Sequence, residues 1–170
     1  MINLLSIRTV AMLAALALAA CSATGELRNA QPQLAGPLQP GSVFLEDSRG
    51  GSTRPEAQIF RQSLVNRLRV AGVFTRIVQN PRRADYLMRV DVFRIDTASA
   101  AELYFSGYFS DGNAIKAAIE IRDARRDRIV TAFQVSGEGT KSLLTDFKLS
   151  DAMDAAQEAA IAYLRTGQFD

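Results

Sequence analysis

The stretch Ala114–Val135, AIKAAIEIRDARRDRIVTAFQV, decides the architecture. In its first half Ile115, Ala117, Ile119 and Ile121 recur every second residue, with Lys116, Glu120 and Arg122 between them. That period places the aliphatic set on one face of a strand and the charges on the other. A polar turn, Ala124-Arg125-Arg126-Asp127, follows, and then a second alternating set, Ile129, Thr131, Phe133 and Val135. The pattern predicts an antiparallel hairpin with one dry and one wet face. Its dry face needs a cover, and the flanking sequence supplies two helices.

Upstream, Ser42–Asp47 (SVFLED) reads as a first strand. Thr53 with Glu56 three residues later suggests a capping box for a helix running to Ala71, stopped by Gly72. Phe60, Leu64, Leu68 and Ala71 form its apolar stripe, with Arg61, Asn66 and Arg69 largely on a solvated face. Val73–Gln79 is a second strand, and strand–helix–strand order implies a parallel crossover. After a turn at Asn80-Pro81, Ala84–Ile95 is a longer strand. It carries Tyr86, Met88, Val90 and Val92 on one side, and Arg89 and Asp91 beside Leu87, Phe93 and Ile95 on the other. Near the end, Ser150 stands where it would cap a helix from Asp151 to about Arg165. The contact face of that helix is Met153, Ala156, Ala160 and Tyr163 or Leu164. The expected fold is therefore α+β: one domain, a mixed four- to five-stranded sheet, two helices on one face, in the order β-α-β-β-β-β-α.

Composition narrows the chemistry. Twenty basic and 18 acidic residues give a net charge of +2, too balanced for a nucleic-acid binder. No histidine is present, which removes the commonest general base and metal ligand. The single cysteine excludes an intramolecular disulfide and a thiolate cluster. Ser136 and Ser142 have no partner base in view, and Asp91, Asp96, Glu102 and Asp111 are scattered over strand and loop. Gly50-Gly51 and Gly137-Glu138-Gly139 lack the strand–loop–helix setting and lysine of a phosphate loop. No catalytic residue, cofactor or metal site is expected, and the chain reads as a non-enzyme.

The cysteine has a different role. Arg8 precedes eleven apolar residues, Val10–Ala20, which end at Cys21. A helix of that length measures about 16 Å, half a hydrocarbon core, so it fits a secretory signal and not a stable span. Leu18-Ala19-Ala20-Cys21 resembles the bacterial lipobox, in which the cysteine is acylated and becomes the first mature residue. The competing reading is ordinary cleavage after Ala17-Leu18-Ala19, leaving a free thiol. The resemblance implies residues 1–20 as a lipoprotein signal peptide and a diacylglycerol thioether plus an N-acyl chain on Cys21, enough for stable anchoring. Ser22, where the enterobacterial rule reads aspartate as retention, implies the inner leaflet of the outer membrane, facing the periplasm. Proline and glycine alternate through 21–41, which is expected to be a flexible tether, with packing of part of it along the domain as the alternative. Residues 42–170 are then the periplasmic domain.

One segment stands out for binding. Asp96–Asn113 (DTASAAELYFSGYFSDGN) is long for a strand connection and carries Tyr104, Phe105, Tyr108 and Phe109 around Gly107. These aromatics either extend the flanking strands and close the core, or form an exposed partner contact.

Two blocks carry a wider resemblance: PEAQIFRQSLVNRLRVAGVFTRIVQNPRRADYLMRVDVF from Pro55 and AIKAAIEIRDARRDRIVTAF from Ala114. Both are similar to a pattern found in small Gram-negative lipoproteins, many of them domains of unknown function. Similar α/β domains occur in the curli-secretion lipoprotein, the N-terminal domain of TolB and the activator lipoproteins of penicillin-binding proteins. The resemblance implies a non-enzymatic binding or assembly module of the cell envelope with an envelope protein as partner. The alternatives are an auxiliary lipoprotein of a lipid-transporting ABC system and, more distantly, a carboxylate-based cell-wall glycan hydrolase.

Overall fold

A computed structural model describes residues 23–97, 113–139 and 149–168. The hairpin forms as the alternation requires: β5 (Ala114–Asp123) and β6 (Arg128–Glu138) pair antiparallel, with Ile119 opposite Phe133 and Ala117 opposite Val135. Asp123 closes the turn by accepting from the backbone N–H groups of Arg125 and Arg126 at 2.9 and 3.0 Å. Ile129 departs from the expected dry row. The register shifts between Ile121 and Arg122, and Ile129 ends up 42% exposed.

β4 (Tyr86–Asp96) pairs antiparallel with β5, aligning Met88 with Ile121 and Val90 with Ile119. A bulge between Val92 and Arg94 inserts an extra residue, so Phe93 stays exposed while Ile95 turns back to pack against the core. The other neighbour of β4 is parallel: β2 (Gly41–Leu45), beyond which lies β3 (Phe74–Ile77), also parallel. The helix α1 (Pro55–Val70) links β2 to β3 as the crossover predicts. It begins at Pro55 with Arg54 as N-cap and no side-chain cap, so the Thr53/Glu56 box does not form. Proline at the first helical position supplies the start instead.

Because β3 and β4 flank β2 on opposite sides, the connection Val78–Asp85 must cross β2. It does so over Ser42, whose hydroxyl reaches Arg83 O at 3.2 Å and Asp85 Oδ2 at 2.7 Å. A 3-10 turn, Pro81–Arg83, tightens this passage, with Asn80 Oδ1 accepting from Arg82 N.

Among the described residues the sheet has six strands, in the order β1-β6-β5-β4-β2-β3, where four or five were expected. The additional one is β1 (Thr24–Arg28), within the stretch read as a tether. It pairs antiparallel with β6 from Thr24–Glu138 to Arg28–Gln134. The chain then continues against the domain: Gln31 and Ala132 exchange backbone bonds at 2.8 and 3.1 Å, Leu34 N donates to Tyr163 Oη, and Leu38 N donates to Leu164 O. Proline and glycine in this stretch mark turns along a packed path, which composition alone cannot tell from a loose one.

The second helix, α2 (Leu149–Thr166), takes in Ser150, whose hydroxyl bonds Asp151 Oδ1; the cap expected at Ser150 is absent. Both helices cover the same face. Phe60, Leu64 and Leu68 of α1 join Ala156, Ala160, Tyr163 and Leu164 of α2 in one cluster with Val43, Val90, Ile119 and Phe133. Each large apolar side chain buried there contributes about 1.5–3 kcal/mol. Small residues let α2 approach closely. A Cβ on Gly137 would lie 1.8 Å from Ala152 O, and one on Gly25 would lie 2.1 Å from Ala155 O. Between the helices, buried Gln157 donates to Ser63 Oγ at 2.6 Å and accepts from Arg67, which also pairs with Asp154 and Glu158.

Candidate functional site

Among the described residues no helix covers the face opposite α1 and α2, and its side chains follow from the register. Residues directly opposite across a sheet share a face, so Arg89, Glu120 and Ala132 form one row and Asp91, Ala118 and Gln134 the next. Arg89 Nη2 meets Glu120 Oε2 at 3.0 Å, and its Nε lies 3.4 Å from Asp91 Oδ2. Arg122 Nη2 reaches both oxygens of Glu46 at 2.8 Å, and Nη1 reaches Asp127 at 2.7 Å. Arg122 Nε lies 3.5 Å from Glu120 Oε1, is buried, and has no hydrogen-bond partner among the described residues. The result is a continuous line of alternating charge, Glu46–Arg122–Glu120–Arg89–Asp91. Both arginine side chains are only 16% exposed, so the line is half-sunk in the sheet. Glu46, first among its neighbours, raises the pKa of Arg122 further and keeps it cationic.

Segment 46–52 finishes the line. Ser48 Oγ donates to Asp91 Oδ1 at 2.5 Å, Arg49 N donates to the same oxygen, and Ser52 N donates to Val92 O. Gly51 allows this path, since a Cβ there would sit 2.9 Å from Val92 N. Its own N–H donates to Ser48 Oγ at 2.9 Å.

Beside this line the face holds two hollows. One of 220 Å³ is lined by Asn29, Gln31, Arg89, Asp91 and Gln134 among others. The second, of 240 Å³, lies between Phe93, Lys116, Gln134 and Arg28. A third groove, of 330 Å³, lies between α1 and the ends of β2 and β3, with Gln58, Arg61, Gln62, Gln79 and Asp47 on its walls. These side chains can hold a polar surface by hydrogen bonds and charge. Among the described residues no group of three or more acidic or cysteine ligands is placed to hold a metal. Asp85 and Asp123 are held below the ordinary carboxylate range. For Asp85 the cause is first the Ser42 N–H and then its hydroxyl; for Asp123 it is the N–H groups of Arg126 and Arg125.

Of the residues singled out in the sequence, Asp91 pairs with Arg89 and Asp96 with Arg94, at 2.6 Å in the latter case. Ser136 lines the open face beside Lys116, and Gly137 is a packing glycine beneath α2. Cys21, Tyr104, Phe105, Tyr108, Phe109, Glu102, Asp111 and Ser142 lie outside the described residues. No described helix is long and apolar enough to cross a membrane. The Glu46–Arg122 and Ser42–Asp85 pairs had no sequence signal, because their members are distant in the chain and only the sheet order brings them together.

Comparison with curated proteins finds no match. Among solved structures, two crystal forms of the PelC dodecamer from Paraburkholderia phytofirmans share the fold. They show 17% and 16% identity and TM-scores of 0.59 and 0.57, covering 85% of this chain and 100% of PelC in each case. The lipoprotein GNA1162 from Neisseria meningitidis aligns over 74% of this chain and 98% of its own, at 12% identity and a TM-score of 0.46. Residues 49–142 match the family described as a domain of unknown function, DUF4410, and that match takes in more than half of the sequence. The chain belongs to the DUF4410 family.

Proposed function

We propose that this protein is a lipid-anchored, periplasm-facing lipoprotein of the outer membrane that acts as a non-enzymatic binding and assembly module. The observation that carries the proposal is Leu18-Ala19-Ala20-Cys21 at the end of an apolar run too short to span. The domain supports it by what its open face offers. A line of half-buried ion pairs gives a partner fixed charge in fixed register, which favours specificity in binding. The partners we propose include further copies of the chain, since PelC, of the same fold, is a dodecamer. An envelope protein engaged through Tyr104, Phe105, Tyr108 and Phe109 remains part of the proposal.

An acyl-carrying transport subunit needs an apolar groove, whereas the 330 Å³ groove mixes glutamine, arginine and carboxylate side chains with Phe44, Leu45, Val65, Ile77 and Val78. The assembly reading is therefore the better supported. Fatty-acid labelling of the wild type and of Cys21→Ser tests the anchor: label should be lost with the thiol, and membrane association unchanged by the substitution overturns it. Crosslinking in intact cells tests the assembly role. Discrete self- or hetero-crosslinked species at native abundance are expected, and their absence overturns it.

A further inference from the structure

We infer that the sheet end marked by Asp96, Ala114, Glu138 and Thr24 is held against the lipid headgroup layer, with the Ala124–Asp127 turn pointing away from the membrane. The inference rests on the proposed acylation of Cys21. Those four residues form one row across β4, β5, β6 and β1, because Asp96 pairs with Ala114, Ala114 with Glu138 and Glu138 with Thr24. Only Ser22 and Ala23 separate the anchor from Thr24. Fully extended, that leash reaches about 11 Å. β6, from Arg128 to Glu138, spans about 35 Å at the usual strand rise. The leash is thus about a third of the sheet's height, and the far end cannot turn to the bilayer around it.

Packing fixes the length of the leash. To lengthen it, β1 would have to peel from β6, and Gly25 would have to leave its place under Ala155. Beyond β1, the Gln31–Ala132 pair and the bonds of Leu34 to Tyr163 and Leu38 to Leu164 hold the following turns. A free stretch from Cys21 to Gly41 would instead reach about 66 Å and let the domain tumble. Among the described side chains at the anchored end, Glu138, Asp96, Arg94 and Thr97 are polar and suit contact with headgroups, and Phe93 beside them is 51% exposed.

The test uses the acylated full-length protein in phosphatidylethanolamine/phosphatidylglycerol vesicles doped with a headgroup-nitroxide lipid. With Cys21 consumed by its thioether, an introduced cysteine is the sole thiol. Fluorophores on Glu138→Cys and Thr97→Cys should be quenched severalfold more than one on Arg126→Cys; all three sites are exposed. Inserting a Gly-Ser linker of about 20 residues after Ser22, about 25 Å as a coil, should abolish that gradient while the protein still floats with the vesicles. Equal or reversed quenching in floating protein overturns the orientation and leaves the anchor standing. A gradient that survives the linker overturns the leash as its cause. Failure to float overturns the anchor and the orientation together.

Discussion

Ser42 and Asp85 hold each other across the β2–β4 boundary. The Ser42 N–H and hydroxyl both donate to Asp85 Oδ2, at 2.9 and 2.7 Å, and the Asp85 N–H returns to Ser42 O at 3.0 Å and Oγ at 3.1 Å. This clamp lies where the chain crosses β2, so it fixes the step by which the parallel half of the sheet joins the antiparallel half.

Asp85→Ala is expected to lower stability by about 2 kcal/mol, because it takes the acceptor from both the N–H and the hydroxyl of buried Ser42. Ser42→Ala should cost less, about 1 kcal/mol, because the backbone N–H still donates to Asp85, whose partly exposed side chain can also be met by solvent. Urea melts of both single variants and the double variant check this. Additive losses would show that the two residues do not act as a unit.

Acid should loosen the same clamp. Asp85 and Asp123 have folded pKa values below their unfolded ones, so the stability they add is complete above the unfolded value. It is lost as pH falls through the folded value. Thermal midpoints should therefore drop as pH is taken from about 5 toward 2. Asp85→Asn should melt lower at neutral pH and show a shallower acid decline. A decline as steep as that of the wild type would assign the effect to other carboxylates.

Gly137→Ala drives a methyl into the α2 backbone at Ala152 and is expected to cost about 3 kcal/mol or to prevent folding. Gly36→Ala meets nothing within 4 Å and should stay within about 0.5 kcal/mol of the parent. Circular-dichroism melts of the two variants side by side make the comparison. Equal behaviour would contradict the close approach of α2 to β6.

Arg122→Ala leaves Glu46 and Glu120 facing each other across a half-buried strip without their cation. A loss of about 1–3 kcal/mol is expected. The double-mutant cycle with Glu46→Ala should return a coupling near 1 kcal/mol that shrinks in high salt. A coupling near zero would mean that the line of charge serves recognition alone.

Tyr104→Ser with Tyr108→Ser should weaken capture of an envelope partner and leave the melting temperature unchanged. A collapse of thermal stability would place both tyrosines in the core and remove them from the proposed contact.

Much of this fold was legible in the sequence. The alternation of Ile115, Ala117, Ile119 and Ile121 gave the hairpin and its dry face, and the Phe60, Leu64, Leu68 spacing gave α1 and its buried side. What escaped depended on distant partners. Thr24–Arg28 carries no apolar period, because an edge strand with its inner side under a helix needs only Gly25 and Leu27 to fit. The bulge at Val92 returned Ile95 to the core against strict alternation, and the shift at Ile121 sent Ile129 outward. The wet face was foreseen from Lys116, Glu120 and Arg122, yet its organisation by Glu46 required the β2–β4–β5 order.

The pairing of Thr24 with Glu138 also sets an order in time. β1 is the first part of the domain to leave a ribosome or a translocation channel, and its partner strand and covering helix are the last. Closing so long a loop is slow and costs entropy until the late contacts form. Strand β1 therefore waits unpaired while the middle of the chain folds, and docks only when α2 has emerged. In pulsed hydrogen exchange during refolding, amides of Glu26 and Arg28 should gain protection after those of the β5–β6 hairpin.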